Sequence, residues 1–459
     1  MANIILDNIH DENQLARAER PPLSIIWIYA MGQLGWSLAS YGIGTLLNYF
    51  YLPPEDVGSK GHFPNFISHA TLLGLTLIGV ISFSGRFFDA LIDPLIANLS
   101  DKTVNRFGKR RVFMGLAAVP LALTSYLIFR PITEGVSSMN TIWLAMTIFI
   151  YYVSYAMYVI PYSALISELG HVKEDRLRIS TIISITWALG FLIGNATPAL
   201  QGVFESMGYP SVQAFQMTVL IFAVVSLIFM LVPVFFLDEN RYAAQGEAHE
   251  NFLHSLTSVF KNQNFKYFSI SYLLYWLALT FIQSGIIYYV TILFGLDKSM
   301  ASLFGAISFF MSFLFYPFME RFEKNIGKRK MIIYGFIMFC LIFGILLLPI
   351  PSIARFWLVS IFAAFPLAVF GILPNTIVAD IVHQNEVETG KNQSGMFYGV
   401  AAFMMKVGIS LANLIFPSLL ILGKSVDNPL GVQLSIVAAF IFCVAGFVVF
   451  SKYRESYEL

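Results

Sequence analysis

Apolar runs of about twenty residues or more recur from about residue 23 to about residue 451, with short polar breaks between them. A helix needs ~20 residues to cross the hydrocarbon core of a bilayer. The runs therefore predict spans at 23–50, 66–97, 112–130, 141–167, 179–203 and 214–237, then 267–294, 300–319, 331–349, 355–380, 395–421 and 430–451. That is an all-α membrane protein with twelve transmembrane helices. The longest polar break, containing Gln245-Gly-Glu-Ala-His-Glu250, divides the chain six plus six. The expected organisation is an N-terminal tail (1–21), a six-helix bundle (22–237), a central linker (238–266), a second six-helix bundle (267–451) and a short tail (452–459).

The two halves echo each other. Gly108-Lys-Arg-Arg111 follows the second span and Gly327-Lys-Arg-Lys330 follows the eighth. Ile160-Pro161 in the fourth span is matched by Leu373-Pro374 in the tenth, each with an acid, Glu168 or Asp380, near one end. Two six-helix repeats with a binding site between them form the major-facilitator arrangement. Lys and Arg set the orientation. With both termini inside, twenty-one of the 28 fall on inner segments and five on outer ones, which leaves Arg86 and Lys406 within the membrane. A plasma (bacterial inner) membrane protein with cytoplasmic termini is expected.

Composition adds exclusions. The chain is 57% hydrophobic and 12% charged, with mean hydropathy +0.71, which is membrane composition. A net charge of +1 supplies no broad basic face for nucleic acid. Cys340 and Cys443 are too few for a disulfide framework. The seven histidines show no ligand spacing, and no triad or Gly-rich nucleotide loop stands out, so neither an enzyme nor a cofactor is expected. The polar first twenty residues do not read as a cleavable signal, so the first span is expected to stay as an anchor.

The candidate chemistry lies in the intramembrane charges. Asp89 and Asp93 are four residues apart and share a helix face with Arg86. Each such group costs roughly 2.5–3.5 kcal/mol to insert and commonly marks an ion or substrate path. A structural Arg86–Asp89 pair is the plain alternative, but it leaves Asp93 without a partner. Lys406, deep in the eleventh span, needs an anion, and Asp89 or Asp93 is the candidate. That bridge is either a static pin or a switch that a bound cation opens. Stripes of rings and amides at helical spacing, Gln33 and Trp36, Tyr155 and Tyr158, Trp187, and Trp276 with Gln283, suit an amphipathic solute such as a sugar. Ordinary helix packing is the plain reading of any one of them. Gly190 and Gly194 read as a close helix contact. Asp101, Arg110, Glu168 and Asp380 are candidates for a cytoplasmic gate, while the sequence leaves open whether Asp56, Lys60 and His62 in the first outer loop gate entry.

The run Arg86-Phe-Phe-Asp89-Ala-Leu-Ile-Asp93-Pro94, with Ser100-Asp101-Lys102-Thr103 and Phe107-Gly-Lys-Arg-Arg111, resembles the glycoside–pentoside–hexuronide:cation symporters. Ile160-Pro161-Tyr162 through Glu168-Leu169, Asp175-Arg176-Leu-Arg178, Ala379-Asp380 through Thr389-Gly390, and Lys406 with Gly408 agree in order. The resemblance implies coupling-cation binding by Asp89 and Asp93, with Lys406 linking that site to the solute cavity. Compared with melibiose permease, the sugar-binding acids fall on Ser37 and Val159, a cavity arginine near Ile183, and two sodium-associated positions on Ile92 and Ala156. Galactosides are therefore not expected, and the coupling ion is H+ or Na+, with sodium, if used, at Asp89 and Asp93. The expectation is a monomeric cation-coupled symporter of a sugar or glycoside, set among membrane lipids. The alternatives are a transporter of an amphiphile such as a lysophospholipid and a non-transporting receptor or scaffold.

Overall fold

The computed structural model describes residues 19–55, 63–69, 71–72, 74–170, 172–243, 259–389 and 394–455. Asp56, Lys60 and His62 lie outside the described residues. Nine helices among those described are long and apolar enough to cross a membrane. They are the fourth to twelfth spans: Ser138–Leu169, Glu174–Ser206, Ser211–Phe236, Gln263–Leu293, Ser299–Met319, Lys328–Leu347, Ser352–Thr389, Gly395–Leu420 and Leu430–Phe450. Three more complete the twelve. The first runs Leu23–Tyr41, passes through a π-helical turn at Gly42–Leu46 and ends in Leu47–Tyr51. The second, Leu77–Lys102, carries Arg86, Asp89 and Asp93 in its middle, and the third is Lys109–Leu127.

Several boundaries differ from the hydropathy reading. The second span begins at Leu77, not near 66. Its apolar lead-in instead forms a two-stranded hairpin, Thr71–Leu72 on Leu75–Thr76, turning at Gly74 with φ +79°. Thr76 then starts the helix, its hydroxyl accepting from the Gly79 N–H. The helix of the eighth span runs on to Ile326, beyond the apolar stretch that ends at Met319 as expected. The fifth is interrupted at Ala196, and Pro198 sits in the first turn of the next helical piece, Thr197–Ser206, where its missing N–H costs no helical bond. In the linker, Glu239–Tyr242 is a short helix, and the seventh span begins at Gln263, where Asn262 caps it.

The core is rich in aromatic residues and runs as one cluster through both halves. At one end of the first half, Phe50 stacks on Phe66 and Phe215 at 5.4 and 5.1 Å. In the second half, Tyr275 stacks on Phe370 at 3.9 Å. Glycines bring backbones close. A Cβ at Gly190 would overlap Ser37 Oγ and one at Gly194 would overlap the Tyr41 ring, so the expected close helix contact is made, and its partner is the first span.

Candidate functional site

Arg86, Asp89 and Asp93 line one face of the second span, and Lys406 meets them from the eleventh. Lys406 Nζ is 2.8 Å from Asp89 Oδ2 and 2.5 Å from Asp93 Oδ2, and Arg86 Nη1 donates to the same Asp89 oxygen at 3.2 Å. The plain alternatives are thus merged: Asp89 serves both cations and Asp93 belongs to Lys406. Two acids and two bases leave the cluster neutral. Asp89 is 0% exposed, whereas the Asp93 side chain keeps 21%. The outer oxygen of each carboxylate, Oδ1, is buried without a hydrogen-bond partner. Arg86 also lies over the Tyr152 and Tyr155 rings, 5.6 Å from each centroid, an attraction strengthened by desolvation.

The sequence places this cluster through small residues and one proline. At Gly85 a Cβ would meet Ile148 at 2.5 Å, so the second span can lie close on the fourth. Gly408 does the same for the eleventh span against the Leu273 carbonyl, and Gly79 for the second against the Leu414 carbonyl. Pro94 has no N–H, so the carbonyl of Ala90, one turn earlier, loses its helical donor beside the aspartates.

The candidate cavity residues separate. Trp36 sits edge-on to Tyr155 at 5.7 Å, and Tyr155 lies under Arg86, so these two belong with the cluster. Buried Gln33 is on the same span, one turn away. Trp276 packs against Tyr272 and Tyr275, and Gln283 is half-buried two turns further along the seventh span. Trp187 packs at a tilt against Phe191 at 4.6 Å and reaches Phe309 of the other half at 6.1 Å. Tyr158 departs from the expectation. It is fully buried, donates its hydroxyl to the Met230 carbonyl at 2.8 Å, and packs against Gly32. It therefore braces the fourth span on the sixth. A helix that is apolar all round does not reveal from sequence which face is inward.

The four candidate gate residues form two clusters, one in each half. Arg110 holds Asp101 at 2.5 Å and Glu168 at 2.7 Å, with Ser100 at 2.8 Å. Asp380 instead pairs with Lys328 at 2.5 Å. Two acids that the sequence reading missed complete the pattern. Glu239 accepts the Arg110 and Arg111 N–H groups at the start of the third span, and Glu455 accepts the Lys328 N–H at the start of the ninth. Burial holds the Glu239 carboxyl above the ordinary glutamate range, with the two backbone donors pulling it back. Arg111 reaches the Val234 carbonyl at the end of the sixth span, and Arg329 the Ser451 carbonyl just past the twelfth. Each basic loop is thus tied to the end of its own half. The repeated Gly-Lys-Arg motif marks the two loops in the sequence, but nothing local singles out Glu239 or Glu455 as their partners.

Links between the halves gather at the end opposite to these loops. Lys424 donates to Glu55 and to the Pro53 carbonyl at 2.6 and 2.9 Å, and Lys298 binds Glu205 at 2.7 Å. Tyr288 donates to the Leu52 carbonyl and Ser284 to that of Gly44, while Thr76 and Ser418 hydroxyls are 3.5 Å apart. The charge cluster therefore lies beneath a closed end.

This architecture has relatives among known proteins. A family profile described as "MFS/sugar transport protein" matches residues 28–450. The chain is 23% identical over 395 residues to the "Uncharacterized symporter YnaJ" of Bacillus subtilis, covering 84% of this chain and 80% of that one. It is 22% identical over 415 residues to the "Isoprimeverose transporter" of Lactiplantibacillus pentosus, covering 89% and 82%. Among solved structures, the nucleoside transporter NupG superposes with TM-score 0.66 at 16% identity, covering 94% of this chain and 100% of that one, a likeness of fold.

Proposed function

From the premise that the chain belongs to the MFS/sugar transport protein family, we propose that it moves a sugar or glycoside across the membrane by cation-coupled symport. It is a multi-pass membrane transporter, not an enzyme, of twelve helices in two six-helix repeats. One observation carries the coupling: at mid-membrane depth the halves are bridged by an ammonium shared between two carboxylates, Lys406 with Asp89 and Asp93. A proton or sodium ion that binds those carboxylates competes with Lys406 for the same oxygens. Cation binding then loosens the link between the halves and biases the equilibrium between inward and outward states.

The more exposed Asp93 is the first contact for the ion, and its free Oδ1, the Asp89 Oδ1 and the Ala90 carbonyl are further oxygens for it. Trp36, Tyr155, Gln33, Trp276 and Gln283 surround the solute, with Arg86 orienting Asp89. We place the protein in the plasma membrane as a monomer, with both termini and the Gly-Lys-Arg loops in the cytoplasm, following the positive-inside bias. The neutral cluster and polar rings favour a sugar over a lysophospholipid, whose tails need an apolar groove. The test is uptake into proteoliposomes of sugars presented as a panel, under a sodium gradient and separately a proton gradient. Accumulation against a concentration gradient that collapses with one ionophore supports symport and identifies the ion. Binding without accumulation under either gradient would assign the chain to a receptor role instead.

A further inference from the structure

The basic loop of the second half carries one charge more than its latch requires. By their contacts, Lys328 and Arg329 take the parts of Arg110 and Arg111. Lys328 pairs with an acid of its own half, Asp380, and Arg329 donates to the Ser451 carbonyl past the last span. In that register Lys330 stands where the first half has Val112, and it is exposed. Beside it lies a cavity of about 430 Å³ lined by Glu323, Lys324, Lys328, Arg329, Lys330 and Glu455. Four bases face two acids there, and with Asp380 on Lys328 the balance is still positive. The Lys328 N–H is already taken by Glu455, so an anion in the cavity is held by side chains and not by the helix end.

The outer face of the ninth span runs on from this cavity. Lys330 is followed at helical spacing by Tyr334, Ile337 and Leu341, all exposed. Ile337 and Leu341 then line a second cavity, of about 380 Å³, together with Gly344, Phe440 and Phe447. This is an apolar groove between the ninth and twelfth spans, and Gly344 keeps it open. A Cβ at Gly344 meets nothing within 4 Å, so this glycine leaves room instead of admitting a neighbouring helix. Ile337 is seven residues beyond Lys330, about 10 Å along the helix, and one leaflet of a bilayer has a hydrocarbon depth of about 15 Å. A positive cavity at the membrane surface thus stands over an apolar groove at acyl-chain depth. Free phosphate matches only the first, and a neutral lipid only the second.

We propose that this face of the ninth and twelfth spans binds an anionic phospholipid, with its phosphate headgroup among Lys324, Lys328 and Lys330 and one acyl chain along Ile337, Leu341 and Gly344. Basic pockets of this kind at the membrane surface suit anionic headgroups. The site is on the outer side of the second half, away from the buried Lys406 cluster, and it stands whatever the solute.

The test is thermal stability of the full-length protein in detergent, titrated in parallel with dioleoyl phosphatidylglycerol, dioleoyl phosphatidylcholine and inorganic phosphate. Phosphatidylglycerol should stabilise at about a tenth of the phosphatidylcholine concentration, and inorganic phosphate should have no effect. Each surface base is worth roughly fivefold in affinity for an anionic headgroup, so Lys324→Gln with Lys330→Gln should weaken the phosphatidylglycerol response by about tenfold or more. Gly344→Leu, which fills the groove, should weaken it as well. Arg106→Gln removes an exposed charge from the loop of the first half and should leave the response unchanged. In native mass spectrometry the unaltered protein should retain phosphatidylglycerol and release phosphatidylcholine, which reads the site even where a variant fails to fold. Equal responses to the two lipids, an equal response to phosphate, or an equal loss in Arg106→Gln overturns the proposal. So does a full response in Gly344→Leu, which would leave a headgroup contact with no seated chain.

Discussion

Asp89 and Asp93 are chemically alike, and their surroundings separate them. Asp89 is fully buried between two cations, while Asp93 touches one and keeps some exposure. Removing one partner of a buried ionic cluster costs about 3–5 kcal/mol, because an unpaired charge is left in low dielectric. Asp89→Asn should therefore destabilise the detergent-purified protein by about that amount in thermal unfolding. Asp93→Asn should cost less than half as much. It should nevertheless abolish gradient-driven uptake while sparing solute binding, and retained accumulation would remove Asp93 from the coupling site. Lys406→Ala should be destabilising and partly rescued by adding Asp93→Asn, since the second change discharges the orphaned acid; strict additivity would show that the pair is not coupled. Most of this site is legible in sequence, because charge inside an apolar run is conspicuous and an i, i+4 spacing fixes a common face. What spacing does not supply is which acid meets a lysine 313 residues away. That both do depends on glycines, at 79, 85 and 408, that let helices approach closely.

Helices three and nine show what pattern reading leaves out. Each begins at a glycine with positive φ, Gly108 at +102° and Gly327 at +86°, and each is capped by a carboxylate from the chain just past the last span of its own half. The basic motifs are visible in the sequence. Their acids are not, since Glu239 and Glu455 sit among other polar residues with nothing local to distinguish them. A Cβ at Gly108 would overlap the Glu239 carboxylate, and a non-glycine residue at this φ is itself strained by about 1–3 kcal/mol. Gly108→Ala should lower thermal stability by at least that amount. Glu239→Gln should cost about 0.5–2 kcal/mol as a weakened cap. If Gly108→Ala proves neutral, the cap is not seated as described. The helix count and the repeat were readable from hydropathy. The hairpin before the second span and the π-turn in the first were not, because short apolar stretches do not by themselves choose between strand, helix and turn.

At the scale of the molecule, the two halves are joined by helix packing such as the second span on the eleventh at Gly79, by the charge cluster at mid-depth and by a set of polar links at the end away from the Gly-Lys-Arg loops. Thr76 and Ser418 mark that end, one from each half, with hydroxyls 3.5 Å apart. Cysteines at both positions should cross-link under mild oxidation, abolish turnover, and leave binding from the loop side intact. Full turnover in the cross-linked protein would show that this end need not part. The closed end also bears on speed. Every cycle must break the Lys424–Glu55, Lys298–Glu205 and Tyr288–Leu52 contacts and then remake them, so their combined strength enters the barrier of the return step. A seal tighter by about 1.4 kcal/mol slows a step that breaks it roughly tenfold. Several of these links are buried, with Tyr288 0%, Leu52 1% and Lys424 5% exposed, and Tyr288 also packs against the Phe416 ring at 5.9 Å. Tightness against leak and speed of opening therefore draw on the same contacts, and the loop that carries Lys424 is where one could be traded against the other.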